Sequence, residues 1–361
     1  MKRIIVSVTN DLTTDQRVDK VCSSLQKLSF DVLLVGRFLE NSLPIKKKYK
    51  TKRFTLIFNK GFLFYAEYNI RLFFFLFFSK KDILLSNDLD TLLPNFLISK
   101  IQQKKLVYDS HELFTEIPEL INRNFIKKVW LKIESLIFPK LKNVYTVNST
   151  ISKIYTEKYG VNVKIIKNYP VFKEIEKGKF PFDISNKKVV FYQGAINVGR
   201  GLELLIETIK ILENYILIIA GDGDILSELE LQVKKENLHH KVKFLGKIKP
   251  ENLHQLTTLA NIGCSLEEDL GLNYRYALPN KIFDYIQAEI PFITSNLPEM
   301  KQIVLDYKVG EILEKRDPET LANIIKRVTQ NDYSANLKSA KKILTWQSEE
   351  KKLLAIFNNL K

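Results

Sequence analysis

Residues 189–202 read VVFYQGAINVGRGL. The first four are an apolar run of strand length, the glycines after them predict a loop, and apolar residues at helical spacing continue to Leu212. Such a loop lets a ligand approach the backbone, the helix start offers free N–H groups, and Arg200 adds a cation suited to phosphate. We therefore predict a βα unit of a parallel sheet with an anion site at its turn, against the alternative of an ordinary turn with a surface arginine.

The rest of the chain repeats this alternation of strands and helices. In the first half, a helix is predicted over residues 15–28, and strands over 4–8, 31–36, 83–85, 106–108 and 143–147. In the second half, strands are predicted over 189–192, 215–220, 242–245 and 261–265. The fold class is therefore α/β, with two doubly wound parallel-sheet (Rossmann-like) domains.

Domain bounds follow from this pattern. The N-terminal domain is predicted over residues 1–168 and the C-terminal domain over 188–345, joined by a polar linker over 169–187. A length of 361 residues suits two such domains. The amphipathic stretch 346–361 predicts a final helix that could pack on either domain, including back on the first.

The basic excess lies in the first half of the chain. Up to Pro170, Lys and Arg number 29 against 15 Asp and Glu, whereas the rest is close to neutral. Such a field attracts an anionic partner, which could be nucleic acid, a phosphorylated acceptor or an anionic membrane surface, although a lysine-rich composition also serves solubility. The two cysteines are far apart in sequence and predict neither a disulfide framework nor a metal site, which favours a reducing cytoplasm.

Residues 61–78, GFLFYAEYNIRLFFFLFF, form the most apolar segment. Glu67 and Arg71 interrupt it, so we predict that it does not span a membrane. It is either a buried helix of the first domain or an amphipathic helix that rests, with neighbouring lysines, on the inner membrane leaflet. We recognise no secretory signal, because a strand pattern begins directly after Arg3.

A second cluster, PNKIFDYIQAEIPFI, occupies residues 279–293. Pro279 suits a helix start, which places Asn280 and Lys281 in the first turn and Asp284 about one turn further on. This spacing is compatible with a phosphate at the helix start and a ribose diol at Asp284. A capped helix with a surface lysine and aspartate is the alternative.

Together with GAINVGRGLELLIE (194–207), the turn IAGDGD (219–224) and the strand VKFLGKI (242–248), this cluster resembles glycosyltransferase family 4, the retaining enzymes of GT-B fold. The resemblance covers essentially the whole chain. It implies two facing Rossmann-like domains with a deep interdomain cleft, the first binding the acceptor and the second the nucleotide-sugar donor. It also implies that a Gly-Arg-x4-Lys-Gly loop and a later pair of glutamates hold the donor.

Carried onto this sequence, the resemblance implies one donor site. Its residues are Gly194, Arg200, Gly201, Gly221, Asp222, Asn280, Lys281 and Asp284. Ala195 stands where the family has an arginine, and Lys281 could replace that cation. Tyr276 stands where the first glutamate of the family falls, so that Glu267, Glu268 or Asp269 could substitute for it.

In the N-terminal half, His111 follows a predicted strand, and the resemblance implies that it faces the cleft near the transferred sugar; a capping or core role is the alternative. Asp15 and Arg17 resemble the segment that borders the acceptor in this family. The turn 86–90 could serve the cleft too, although acidic turn residues are common. No GxGxxG follows the first strand, which argues against a dinucleotide oxidoreductase.

The resemblance implies metal-independent hexosyl transfer with retention. Arg200, Lys281 and helix-start N–H groups would meet the charge of the departing diphosphate, and His111 completes the catalytic set. The segment Asp222-Gly223-Asp224 is interpreted as a glycine turn, and no metal is expected.

The partners follow from the same resemblance. We expect no cofactor, a UDP- or GDP-sugar donor, a glycan or lipid-linked acceptor of cell-surface polysaccharide or glycolipid synthesis, no nucleic acid, and a cytoplasmic location that could be peripheral on the membrane. A nucleotide-sugar epimerase or hydrolase of the same fold, and a non-enzymatic nucleic-acid binder, are the alternatives.

Overall fold

The computed structural model describes residues 1–13, 15–40, 42–117, 120, 123–184 and 186–360. The chain forms two compact units, the first comprising Met1–Asn168 and Trp346–Lys361 and the second Tyr169–Thr345. Each unit is built on one sheet whose paired strands are all parallel. Apolar cores cover both faces of each sheet, which confirms the predicted class of two Rossmann-like α/β domains.

The first unit contains seven strands and six α-helices among its described residues. The strands are β1 Arg3–Asp11, β2 Asp31–Phe38, β3 Lys50–Thr55, β4 Ile83–Asn87, β5 Lys105–Ser110, β6 Val144–Thr146 and β7 Val163–Ile165. The helices are α1 Gln16–Lys27, α2 Gly61–Phe78, α3 Leu89–Ile101, α4 Asn124–Ile137, α5 Ser149–Tyr159 and α14 Trp346–Asn358. The strand order is β3-β2-β1-β4-β5-β6-β7, so the direction of winding reverses between β1 and β4.

Successive side chains of β1 enter opposite cores, because side chains alternate along a strand. Ile4 and Val6 pack in one core with α1 and α14, and Ile5 packs in the other beneath α2. All three are fully buried. The continuous apolar run that predicted this strand therefore reflects burial on both faces of the sheet.

The last helix, α14, packs on the first unit. The Trp346 indole N–H donates to the Ser24 hydroxyl at 2.9 Å, and the Phe357 ring meets Phe30 edge to face at 6.3 Å between centroids. Leu353 is fully buried in the same core. Each such buried apolar side chain stabilises the unit by about 1.5–3 kcal/mol.

Helix α2 carries apolar side chains on two faces. Phe64, Tyr68, Leu72 and Leu76, spaced by four residues, are buried on the sheet, and the Tyr68 hydroxyl donates to the Val8 carbonyl. The opposite face leaves large apolar side chains exposed to solvent: Phe62, Leu63, Ile70, Phe74, Phe77 and Phe78. Among the described helices, α2 alone has the length and composition to cross a membrane, a test that core helices of soluble proteins also pass.

The second unit contains six strands among its described residues. They are β8 Lys188–Gln193, β9 Tyr215–Ala220, β10 Val242–Gly246, β11 Ile262–Ser265, β12 Phe292–Ser295 and β13 Gly310–Leu313, in the order β10-β9-β8-β11-β12-β13. The helices are α6 Leu202–Lys210, α7 Leu226–Lys235, α8 Pro250–Thr257, α9 Leu272–Arg275, α10 Asn280–Gln287, α11 Pro298–Tyr307, α12 Pro318–Val328 and α13 Ser334–Ile343.

Part of the stretch 169–187 packs on the second unit. Tyr169 and Phe180 are buried in a core of the second unit, where the Tyr169 ring lies 4.8 Å from that of Phe283. Phe182 and Ile184 are partly buried against the same core, so apolar burial along the segment holds it to the unit.

Candidate active site

The strand order of the second unit reverses between β8 and β11. At such a switch point the loops that leave the two strands diverge, and open α/β sheets bind ligands in the crevice at these carboxyl ends. Gly194 directly follows β8, and Leu266 directly follows β11. The predicted anion loop and the acidic segment after β11 therefore leave the sheet at the same end.

The loops after β8 and β9 lie against each other at this end of the sheet. The Gly194 N–H donates to the Ala220 carbonyl and the Ile196 N–H to the Asp222 carbonyl, both at 3.0 Å. A side chain on Gly221 would overlap the Gly194 carbonyl oxygen, so this approach requires glycine. A cavity of about 570 Å³ beside the two loops is lined by the predicted residues Gly194, Gly221 and Asp222.

Arg200 and Gly201 continue the first loop toward the segment after β11. Gly201 directly precedes α6 and lies in the left-handed region, with φ of 74°; a Cβ there would overlap the Leu266 carbonyl oxygen. This close approach brings the Arg200 guanidinium to 3.6 Å from a carboxylate oxygen of Glu267. Arg200 keeps 26% of its side chain exposed, and its guanidinium also lies 5.1 Å from the centre of the Tyr274 ring.

Lys281 lies in the first turn of α10 and is buried, with only 8% of its side chain exposed. Its Nζ is 2.9 Å from Glu267 Oε1 and 4.0 Å from the centre of the Tyr192 ring. The same Nζ is 3.7 Å from the space that a Cβ on Gly194 would occupy, so the cation faces the glycine loop. Burial alone would lower the pKa of Lys281, but the Glu267 carboxylate raises it above its ordinary value.

Glu267 is the fully buried anion at the centre of this cluster. One carboxylate oxygen faces both Lys281 and Arg200, and the other accepts a hydrogen bond from the Ser265 hydroxyl at 2.7 Å. Burial would raise the pKa of Glu267. The charge of Lys281, the hydrogen bond from Ser265 and the charge of Arg200 nevertheless hold this pKa below its usual value. Two cations therefore share one carboxylate, and the cluster keeps a net positive charge.

The structure distinguishes the three acidic residues that the sequence left open as substitutes. Glu267 reaches the cluster, whereas Glu268 pairs with Arg316 at 3.2 Å and Asp269 pairs with Arg275 at 2.6 Å, both near the surface. Local sequence offered no signal for this choice, because neighbouring side chains after a strand leave in different directions.

The other two predicted residues of α10 lie on the same helix as Lys281. Asn280 is its exposed first residue. Asp284 Oδ2 accepts a hydrogen bond from Gln193 at 2.8 Å, and Gln193 is itself held by the Thr257 hydroxyl. Asp284 is therefore oriented by the end of β8 and lies one turn beyond the buried lysine, as the sequence spacing predicted.

In the first unit, His111 lies just beyond β5 between two carboxylates. Its Nδ1 is 3.1 Å from Asp88 Oδ2, and its Nε2 is 3.2 Å from Asp109 Oδ2. Burial would lower the pKa of His111, but the charges of Asp88 and Asp109 raise it to about 10. These charges favour the imidazolium form of the ring, which can donate a hydrogen bond, while burial in turn raises the pKa of Asp88 to about 8.

Arg17 is buried beneath this histidine and was expected to bind an acceptor. Its guanidinium makes two hydrogen bonds to Asp109, at 2.8 and 3.1 Å, and a third to the Ile166 carbonyl at 2.9 Å. With 4% exposure it offers no free face, and the arrangement favours a positioning role through Asp109.

Asp15 is placed differently from Arg17. It caps α1 by accepting from the Val18 N–H at 3.0 Å, and it also lines a second cavity of about 630 Å³ in the first unit.

The turn after β4, which the sequence marked only as a possible contributor, lies at the same cavity as His111. Asp88 has φ of 54° and ψ of 169°, a region that costs a residue other than glycine about 1–3 kcal/mol. The backbone N–H of Asp88 donates to the Asp109 carbonyl. The Asp88 carboxylate accepts a hydrogen bond from the backbone N–H of His111 at 2.8 Å. Backbone strain of this kind concentrates at functional sites.

No group of His, Cys, Asp and Glu side chains within the described part of the chain is arranged to hold a metal ion. The turn from Asp222 to Asp224 lines the cavity beside the glycine loops.

Comparisons with known proteins bear on both units. Residues 174–343, nearly the whole second unit, match the family described as glycosyl transferases group 1. A Campylobacter jejuni protein named GalNAc-alpha-(1->4)-GalNAc-alpha-(1->3)-diNAcBac-PP-undecaprenol alpha-1,4-N-acetyl-D-galactosaminyltransferase is 26% identical over 264 residues, which are 70% of this chain and 67% of that protein. Matches to two further curated relatives take in 36% and 56% of their lengths.

Solved structures share the fold of the whole chain. Sucrose-phosphate synthase from Thermosynechococcus elongatus has a TM-score of 0.81 at 16% identity, covering 100% of this chain and 99% of its own. Anabaena HepE in complex with UDP has a TM-score of 0.73 at 16% identity, covering 99% and 100%. The second unit thus matches the glycosyl transferases group 1, and the chain as a whole shares the GT-B fold of glycosyltransferases.

Proposed function

We propose that the protein is a retaining, metal-independent hexosyltransferase of the family 4 type, which takes its sugar from a nucleotide-diphosphate sugar. The observation that supports this most directly is the cluster of Lys281, Glu267 and Arg200. It lies at the switch point of the unit that matches glycosyl transferases group 1, next to a loop whose backbone is open at Gly194.

The cluster is suited to a departing diphosphate. Two cations against one buried carboxylate leave about one positive charge, and the starts of α6 and α10 add the positive ends of their helix dipoles. Charge that develops on the diphosphate as the glycosidic bond breaks would be stabilised by these groups, which are already in position and largely removed from water. Lys281 and Arg200 thereby supply the compensation that a metal ion supplies in other transferases.

The remaining donor contacts are assigned by position. Gln193 orients the Asp284 carboxylate, which we assign to the ribose diol, while Asp222 and Asn280 flank the diphosphate. His111, as an imidazolium, is assigned to hydrogen bonding with the transferred sugar or the acceptor and not to proton abstraction. UDP or GDP is the expected nucleotide.

We assign the acceptor to the first unit, as a glycan or lipid-linked glycan of cell-surface polysaccharide or glycolipid synthesis. The name of the Campylobacter relative ends its substrate in PP-undecaprenol, which supports this class. The basic excess of the first half and the exposed apolar face of α2 support a cytoplasmic protein that is peripheral on the inner, anionic face of the membrane.

The decisive experiment is a thermal-shift panel of UDP, GDP, ADP and their sugars on the whole chain. One nucleotide should raise the melting temperature, and Arg200→Ala combined with Lys281→Ala should remove that rise, because both diphosphate cations are lost. A Lys301→Ala variant, which removes a lysine of α11 that is not part of the cluster, is the control. Stabilisation by none of the nucleotides, or an undiminished shift in the double variant, would contradict the proposal; turnover of donor with no acceptor present would favour an epimerase or hydrolase.

A further inference from the structure

The second cavity, of about 630 Å³, lies at the switch point of the first unit, where β1 and β4 diverge. It is bounded by the carboxyl ends of these strands, by the first half of α2 and by α4. Its lining divides into polar groups from the sheet and apolar groups from the two helices. The chemistry of a ligand that fills it can therefore be derived from the two parts.

The polar part consists mainly of hydrogen-bond acceptors. Asn87, at the end of β4, is 2% exposed and donates its amide N–H to the Ser7 carbonyl at 3.1 Å. Its Oδ1 accepts no hydrogen bond from any described residue. It is therefore a buried acceptor that a donor group of a ligand could satisfy. Asp88 and Asp90 line the same cavity. Burial raises the pKa of Asp88 to about 8 and that of Asp90 to about 6, so a neutral group that both donates and accepts hydrogen bonds fits here better than an anion, as the hydroxyl groups of a sugar do.

The apolar part is an aromatic and aliphatic wall. The Trp130 ring meets Tyr65 edge to face at 5.4 Å and Phe114 at 5.2 Å, and all three line the cavity. Ile126 and Val129, on α4, continue the wall. This wall is larger than stacking against one sugar ring requires, and it suits a hydrocarbon chain.

The wall continues to the outside of the molecule. Phe62 and Phe125 both line the cavity, although they are 65% and 79% exposed. From Phe62 the exposed apolar face of α2 runs on through Ile70 and Phe74. A chain that leaves the cavity thus meets an apolar surface, which solvent alone would not favour.

Two arginines also line the cavity, on elements other than those that carry the carboxylates. Arg37 lies near the end of β2, with its guanidinium 4.4 Å from the centre of the Phe64 ring, and Arg123 directly precedes α4. Cations placed beside an apolar wall suit a phosphate that joins a sugar to a chain.

We propose that this cavity binds a sugar joined through phosphate to a lipid chain, with the sugar hydroxyls at Asn87 and Asp88, the phosphate at Arg37 and Arg123, and the chain leaving past Phe62 and Phe125. This inference rests on the proposed transferase function, and it narrows the acceptor from a glycan or lipid-linked glycan to a sugar joined to a lipid chain through phosphate. Asp15 and His111 lie at the same cavity, so the sugar is held among the residues that the sequence placed near the acceptor.

The test uses three probes on the whole chain: glucosyl phosphoryl farnesol, farnesyl phosphate and glucose 1-phosphate. Trp130 reports binding through its fluorescence, because it lines the cavity, while the other tryptophan, Trp346, is buried in the core with α14. The complete probe should bind at least about tenfold more tightly than either half, since each half lacks contacts to one part of the lining.

Matched variants on α4 localise the site. Val129→Asp places a carboxylate on the apolar wall and should weaken binding of the complete probe about tenfold or more. Leu136→Asp, the same change at an exposed residue of the helix that does not line the cavity, should leave it unchanged. Both variants should retain the nucleotide-induced thermal shift, which reports the second unit.

Two results would overturn the inference. Equal affinity for farnesyl phosphate and the complete probe would mean that the cavity does not recognise the sugar. Equal affinity of Val129→Asp and Leu136→Asp for the complete probe would mean that it binds outside this cavity. Because the nucleotide shift is measured separately, either result could occur while the transferase proposal stands. If no nucleotide raised the melting temperature of the unaltered protein, that result would instead contradict the transferase proposal.

Discussion

Replacing Glu267 by glutamine removes the one buried anion that Lys281 and Arg200 share, with little change in volume. Lys281 is 92% buried and would keep its charge without a counter-charge, whereas Arg200, at 26% exposure, can turn partly to water. Breaking a buried pair from one side costs about 3–5 kcal/mol, and the partial freedom of Arg200 places the expected loss near 3 kcal/mol. For a unit of this size that corresponds to a fall in melting temperature of about 6–12 °C.

The neighbouring residue offers a matched control. Glu268→Gln removes a carboxylate from a pair with Arg316 whose side chains are 40% and 32% exposed, and such surface pairs contribute about 0–1 kcal/mol. Urea and thermal unfolding of both variants should therefore separate them by about 2 kcal/mol or more. Added UDP should stabilise Glu267→Gln more than the unaltered protein, because the diphosphate replaces the lost negative charge. Equal midpoints for the two variants would refute the role given to Glu267.

Two further predictions concern the first unit. The pKa of His111 is raised to about 10 from an ordinary 6.5, so the stability that its charge adds to the fold should be complete below pH 6.5 and lost as the pH rises toward 10. The free energies of unfolding in urea of the unaltered protein and of His111→Gln should therefore converge over that range. A difference that stays constant with pH would contradict the imidazolium assignment. The exposed face of α2 should bind anionic vesicles in flotation assays, less so in high salt and about tenfold less in Phe74→Asp; flotation that is absent, or insensitive to salt, would argue against a peripheral membrane location.

Part of this architecture is written in local sequence. The strand, glycine loop and helix of residues 189–202, and the helix that starts after Pro279, lie where the sequence predicted, because apolar periodicity, glycine and proline act over a few residues. Strand β3 was missed since KTKRFT exposes charged side chains in alternation, and the short strands β7, β12 and β13 were missed as well. Short or charged strands form because a neighbouring strand supplies their hydrogen bonds, and that neighbour is distant in sequence.

The sequence by itself determined the two α/β domains, the positions of Gly194, Arg200 and Lys281 at loop and helix starts, and the spacing from Lys281 to Asp284. Only the tertiary structure decided which acidic residue joins these cations. It also decided that Arg17 supports His111 through Asp109. Both decisions depend on strand order, because β8 beside β11, and β1 followed across the sheet by β4 and β5, bring together side chains that are some 70 to 90 residues apart along the chain. Ion pairs over such separations leave no periodic trace in the sequence, whereas the helices and turns that carry the partners do.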